Sequence, residues 1–155
     1  MRGRGVVMGI VLAVGITAPA GAADSDVRST VKRESARVTR QANALSKDLA
    51  LLTSRGGNVG RIRRELRVAR TALRKARIAI IGEDPSSSRG SEGKKLVLAG
   101  LRDLKGAYVQ VDRSLAAVED GRNAEAARRY SRAARLSVRA TDRVDRGRRL
   151  LAPRP

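Results

Sequence analysis

Apolar residues recur along most of this chain with the step of a helix face. Val97, Leu101, Leu104, Tyr108, Val111, Leu115 and Val118 are spaced 4-3-4-3-4-3, and Ile62, Leu66, Ala69, Leu73, Ala76 and Ile80 are spaced 4-3-4-3-4. Earlier, Val31, Val38, Leu45 and Leu52 recur every seven residues, with Ala42 and Leu49 beside them. Towards the end, Ala126, Tyr130, Ala133, Ser137, Ala140, Val144, Gly147 and Leu151 keep the same step with smaller side chains. Spacings of three and four place residues on one side of an α-helix, so each segment predicts an amphipathic helix that must bury that side. No alternation of the β type extends beyond a few residues.

Three breaks separate these segments: Arg55-Gly56-Gly57-Asn58, the run from Gly82 to Gly90, and Asp120-Gly121-Arg122-Asn123. The pattern predicts helices over about 26–53, 59–81, 91–119 and 124–151. Asn58, Ser91 and Asn123 are candidate N-caps. Glu92 and Glu125 would then lie in first turns, where the helix dipole favours a carboxylate. The short first and third breaks imply two αα-hairpins, joined by the longer Pro- and Ser-containing break. The economical all-α solution is an antiparallel up-down four-helix bundle with coiled-coil-like packing, and the alternative is a pair of hairpins stacked as a short solenoid. Glu34 and Ser35 interrupt the early stripe of the first helix, which leaves open how firmly it docks.

Small residues form a second pattern. Gly93, Gly100, Ala107, Ser114 and Gly121 recur every seven residues, as do Ala126, Ala133, Ala140 and Gly147. A glycine inside a helix costs about 1 kcal/mol relative to alanine. Close approach of the third and fourth helices would explain Gly100 but not obviously Gly106. Gly121, Ala126, Tyr130 and Ala133 also share their spacing with half of a tetratricopeptide repeat. The stretch occurs once, and any antiparallel helix pair with a small seam produces it, so no family follows from it.

Residues 1–23 read as a signal peptide: Arg2 and Arg4, an apolar run from Val6 to Ile16, and small residues fitting cleavage after Ala22 or Ala23. The apolar run is about half the ~20 residues a spanning helix needs. The expected location is extracytoplasmic, secreted or in the cell envelope, with the domain occupying 24–155. Loss of Arg2 and Arg4 would take the formal charge from +19 to +17.

That charge is partly ordered. Arg63, Arg67, Arg70, Arg74 and Arg77 step 4-3-4-3 along the second helix, and Arg128, Arg132, Arg135, Arg139, Arg143 and Arg146 step by three or four along the fourth. Rows of like charge on one face repel and point to a polyanionic partner, such as an anionic envelope polymer or an anionic lipid surface. Sequence-specific nucleic acid fits poorly, because Tyr108 and Tyr130 are the only aromatics and both lie on apolar stripes. Arg outnumbers Lys 28 to 6, so codon bias towards GC would also supply a solvated arginine surface without any ligand.

Enzymatic chemistry finds little support. The chain has no His and no Cys, which removes the common general base, the thiolate nucleophile and the usual metal ligands. No cofactor motif is present: the run from Gly82 to Gly90 lacks the Gly-Lys-Ser/Thr ending of a phosphate-binding loop. Ser86-Ser87-Ser88 reads as a linker. The expectation is a non-enzymatic exported protein contacting a polyanion. Two alternatives stay open: a helical adaptor binding a protein partner through an apolar face, and a carboxylate-based metal binder using Asp112, Glu119 and Asp120 or Asp142 and Asp145. Oligomeric state is not legible.

Overall fold

The structure, a computed structural model, describes residues 25–55 and 58–152, with side chains described outside 51–55. The leader read at 1–23, Gly56-Gly57 and the side chain of Leu52 lie outside the described residues. Four helices follow in order: α1 (Ser25–Arg55), α2 (Val59–Ile81), α3 (Ser88–Glu119) and α4 (Asn123–Leu151). No strand occurs among the described residues.

One core joins all four helices. Val27, Val31, Val38, Leu45 and Leu49 of α1 meet the Ile62-to-Ile80 stripe of α2, the Val97-to-Leu115 stripe of α3, and Ala133, Ala140 and Leu151 of α4. Glu34, which interrupts the α1 stripe, is nevertheless only 4% exposed. Its carboxylate accepts from Arg33 (3.1 Å) and Arg37 (3.3 Å) on its own helix. At the ends of the helices, Thr30 Oγ1 donates to Glu83 Oε1 (2.6 Å) and Arg61 Nε donates to Asp48 Oδ2 (2.9 Å), so α1 is tied to the segments at both ends of α2.

α3 and α4 form the tightest pair and run in opposite directions. A Cβ on Gly147 would stand 2.6 Å from the Gly93 carbonyl oxygen, and one on Gly100 would stand 2.8 Å from that of Ala140. Further along, Ser114 Oγ donates to the Ala126 carbonyl (2.8 Å). Each step of seven up α3 from Gly93 to Ser114 thus meets a step of seven down α4, which accounts for the small residues of both series apart from Gly121. Gly106 also faces α4, more loosely: its Cβ would meet Leu136 Cδ1 at 3.4 Å.

The expected boundaries hold for α2 and shift for α3 and α4. Asn58 caps α2 as read, its side chain accepting from Arg61 N (3.1 Å). α3 starts three residues earlier than expected, because Ser87 rather than Ser91 is its N-cap: Ser87 Oγ accepts from Gly90 N at 2.8 Å. The serine run is therefore cap and first turn rather than linker, and Glu92 falls beyond the first turn. Asn123 is not a cap either. Gly121, at φ 71°, closes α3. Gly121 N donates to Val118 O (3.0 Å) and Arg122 N donates to Ala117 O (2.8 Å), which is the Schellman pattern. Arg122 then already holds the N-cap position of α4, its carbonyl accepting from Ala126 N (3.0 Å), and Asn123 becomes the first helical residue.

Candidate anion-binding faces

Several cations serve helix ends. The last carbonyls of a helix lack intrahelical donors and carry the negative end of its dipole. Lys94 Nζ donates to Ile81 O (2.8 Å) and also to Glu83 O, just beyond α2. Arg28 Nε donates to Leu151 O (2.7 Å) and Arg89 Nη2 to Arg149 O (3.1 Å), at the end of α4. At the start of α4, the Arg129 guanidinium bonds Glu125 and, with the charge of Arg122, holds its carboxyl below the usual carboxylate range. Hydrogen bonding to Asp120 raises the Arg122 guanidinium in turn.

The two predicted arginine rows are not equivalent along their length. On α2, Arg63 pairs with Glu119 (2.5 Å), and Arg70 pairs with Asp112 (3.2 Å) while also donating to the Tyr108 carbonyl (3.2 Å). On α4, Arg139 spans both Asp103 oxygens (3.1 and 2.9 Å), Arg143 reaches Oδ2 of the same carboxylate (2.7 Å), and Arg146 pairs with Asp142 (3.1 Å). Asp103 is 8% exposed, so these guanidiniums satisfy a carboxylate that water hardly reaches. Five of the eleven predicted contact residues therefore hold ion pairs within the fold.

The remaining six differ. Arg67 and Arg74 on α2, and Arg128, Arg132 and Arg135 on α4, are exposed and meet no carboxylate among the described residues. Arg128, Arg132 and Arg135 lie with Arg129 and Ser131 around a shallow depression along the outward side of α4. Seven residues of helix separate the outer two, about 10 Å. Arg77 is half-buried, and its Nε–H has no hydrogen-bond partner among the described residues.

Sequence reasoning missed Asp103 as an anchor for α4. The signal was available: Asp103, Gln110 and Ala117 step by seven beside the small-residue seam, and all three are buried. Tyr108 is buried too; burial pushes its phenol well above the usual tyrosine range, and its hydroxyl has no partner among the described residues. Tyr130, half-buried against the core, is raised for the same reason.

The carboxylates set aside for metal binding sit in ion pairs. Asp112, Glu119, Asp120, Asp142 and Asp145 each meet an arginine, and no group of three or more acids converges among the described residues. Between α1, α3 and α4 lies a cleft of about 40 Å³, lined in part by Ser35, Leu101 and Val144. It has room for one or two waters but not for an organic ligand. Large apolar residues are exposed at Val68, Ile78 and Ile81 on α2, Val118 on α3 and Val138 on α4. No described helix is long and apolar enough to cross a membrane.

These features define an all-helical protein whose exposed chemistry is dominated by arginine. No known family matches the sequence, and neither a curated protein nor a solved structure matches it.

Proposed function

We propose that the protein is an exported, non-enzymatic up-down four-helix bundle that contacts a polyanionic polymer through the outward face of α4, centred on Arg128, Arg132 and Arg135. One observation carries the reading. These three cations share a face, reach solvent and do no work inside the fold, whereas Arg139 and Arg143 on the same helix are committed to Asp103. Unpaired like charges at helical spacing repel until an anion lies along them. Arg67 and Arg74, exposed on α2, form a separate pair of cations that meets no carboxylate among the described residues. A polymer fits better than a lipid surface, because a helix that lies in a bilayer buries its apolar side there, and the apolar side of α4 is already occupied by α3.

The up-down arrangement draws on contacts between successive helices. Arg63 with Glu119 and Arg70 with Asp112 connect α2 and α3 with opposite direction, and the Arg28 bond to Leu151 brings the start of α1 to the end of α4. Export rests on residues 1–23, and N-terminal sequencing of the secreted protein tests it by finding Ala23 or Asp24 first.

Retention on a polyphosphate column at several salt concentrations tests the contact. The triple variant R128Q/R132Q/R135Q should lower the log–log salt slope by about three with unchanged helicity. A wild-type slope of about two or less, or a triple variant that elutes with the wild type, overturns the proposal. Equal binding to anionic vesicles by both proteins would point to the lipid source instead and count against the polymer.

A further inference from the structure

Asp103 holds two arginines by one edge each. Arg139 lies side-on to the carboxylate, Nε donating to Oδ2 (3.1 Å) and Nη2 to Oδ1 (2.9 Å), and Arg143 Nη1 donates to the same Oδ2 (2.7 Å). The two guanidiniums therefore converge on one oxygen and are held next to each other. A guanidinium carries five N–H donors in a rigid fork. Arg139 spends two of them on Asp103 and Arg143 spends one, and neither meets another acid among the described residues. The arginine side chains are 54% and 38% exposed and that of Asp103 is 9% exposed, so solvent reaches the cations and hardly reaches the acid between them. One carboxylate shared by two cations leaves the spot positive, and no neighbouring acid cancels it. α4 has none from Ala126 to Thr141, and α3 has only Asp103 from Gly93 to Val111. Asp142 and Asp145 are taken up by Arg146 and Arg148.

We propose that Arg139 and Arg143, set by Asp103, form a two-guanidinium clamp for one phosphate group. Arg135 stands about 6 Å before Arg139 along the axis of α4, so the clamp continues the row of Arg128, Arg132 and Arg135. The N–H groups left over on each guanidinium form a fork that matches phosphate oxygens. Asp103 is a positioning residue. It touches no ligand, offsets the repulsion between the two cations and orders both side chains before the anion arrives. A mobile arginine has to be ordered on binding, at a cost for each side chain, whereas folding has already ordered these two. The ligand chemistry is a phosphate group, free or carried on a polymer. The inference rests on the polyanion reading of α4 and deepens it by naming the anion and the place that grips it.

The test follows the ¹⁵N-labelled Nε–H resonances of Arg139 and Arg143 in the full chain, assigned by their loss in Arg139→Lys and Arg143→Lys. It is run in the R128Q/R132Q/R135Q background, so that the row and the clamp can fail separately. Inorganic phosphate should shift both resonances along one saturating curve, while chloride at matched ionic strength should not. Short-chain polyphosphate titrated in parallel distinguishes the sources. Saturation at much lower concentration assigns the clamp to polymer-borne phosphate, saturation at the same phosphate concentration assigns it to the free anion, and either supports the clamp. Asp103→Asn gives charge and positioning opposite signs. It adds one unit of positive charge, so attraction by charge alone would tighten phosphate binding. Loss of the clamp should instead weaken binding at Arg143 at least about fivefold, because both side chains must then be ordered by the anion. Circular dichroism at 222 nm checks that the variant is folded at the temperature used. Arg143→Lys keeps the charge and leaves Arg139 spanning Asp103, and it should weaken binding at Arg139 by a similar factor. A response to phosphate no greater than that to chloride, equal or tighter binding in Asp103→Asn, or undiminished binding in Arg143→Lys overturns the clamp, whatever the row does on the column.

Discussion

Replacing Gly147 by alanine separates two explanations for the glycines of the α3–α4 pair. On helix propensity alone, Gly147→Ala gains about 1 kcal/mol. The geometry opposes that gain. The new Cβ would stand 2.6 Å from the Gly93 carbonyl oxygen, 2.8 Å from Val97 Cγ2 and 3.0 Å from Val97 N, where ordinary contact begins at 3.4 Å. Two of these atoms are backbone and cannot rotate away, so the helices must move apart at their closest point. Overpacking of this kind costs about 1–3 kcal/mol. With backbone atoms involved the upper part of that range applies, and the net loss is about 1–2 kcal/mol. Gly106→Ala is the control, because its Cβ would meet only Leu136 Cδ1 at 3.4 Å. There the propensity gain survives, and stability should rise by about 0.5–1 kcal/mol. Urea unfolding followed by circular dichroism at 222 nm measures both variants against the wild type. Opposite signs support close helix approach. A Gly147→Ala protein as stable as the wild type, or equal destabilisation by both variants, refutes it.

Asp103→Asn should destabilise the domain by about 1–2 kcal/mol, less than a fully buried ion pair would cost, because Arg139 and Arg143 can both reach water; a change under a few tenths in urea unfolding would remove Asp103 from the stabilising contacts. Stability should fall as pH rises above about 10, because the unfolded chain then releases the Tyr108 proton while the folded chain, with its raised phenol, retains it. Tyr108→Phe should flatten that alkaline decline and leave neutral-pH stability equal or up to about 1 kcal/mol higher, since an unpaired buried hydroxyl is removed; an unchanged alkaline profile would show that the phenol is not the group responsible. Arg139→Lys should lose stability, because an ammonium cannot span both Asp103 oxygens, whereas R128K/R132K/R135K should keep the salt slope of the wild type. A slope that falls in the lysine triple would mean that guanidinium geometry, rather than charge, makes the contact.

The helices were legible because their apolar step is long and regular: the stripe from Val97 to Leu115 is buried throughout in the structure. The closeness of α3 and α4 was legible from glycines spaced by seven, since nothing local favours glycine there. The caps were harder. Ser86, Ser87, Ser88 and Ser91 offer the same hydroxyl chemistry, and sequence supplies no local reason to choose among them. Packing decides: α3 extends far enough back to bury Gly90 and bring Gly93 against the last turns of α4, which leaves Ser87 at its end. Asn123 was misplaced for a related reason. The Schellman closure around Gly121 uses Arg122 twice, as a donor back to α3 and as the cap position of α4, so the three residues between the helices, Asp120 to Arg122, all serve as caps.

The arginine rows were visible as rows, but their division was not, because the deciding partners lie far away in sequence. Asp103 is 36 residues from Arg139, and Glu119 is 56 from Arg63. Distance along the chain hides the pairing, and three-dimensional contact sorts the cations by task. Arg28, Arg89 and Lys94 complete helix ends, Arg63 and Arg70 join α2 to α3, and Arg139 and Arg143 tie α4 to the buried Asp103. A composition bias adds arginines but does not arrange carboxylates to receive them. The informative positions are therefore those where cations line up on a face and the fold provides no acid. Arg128, Arg132 and Arg135 make one such place on the surface of α4. A purely solvated arginine surface would also account for that row, and the salt slope of the triple glutamine variant separates the two readings.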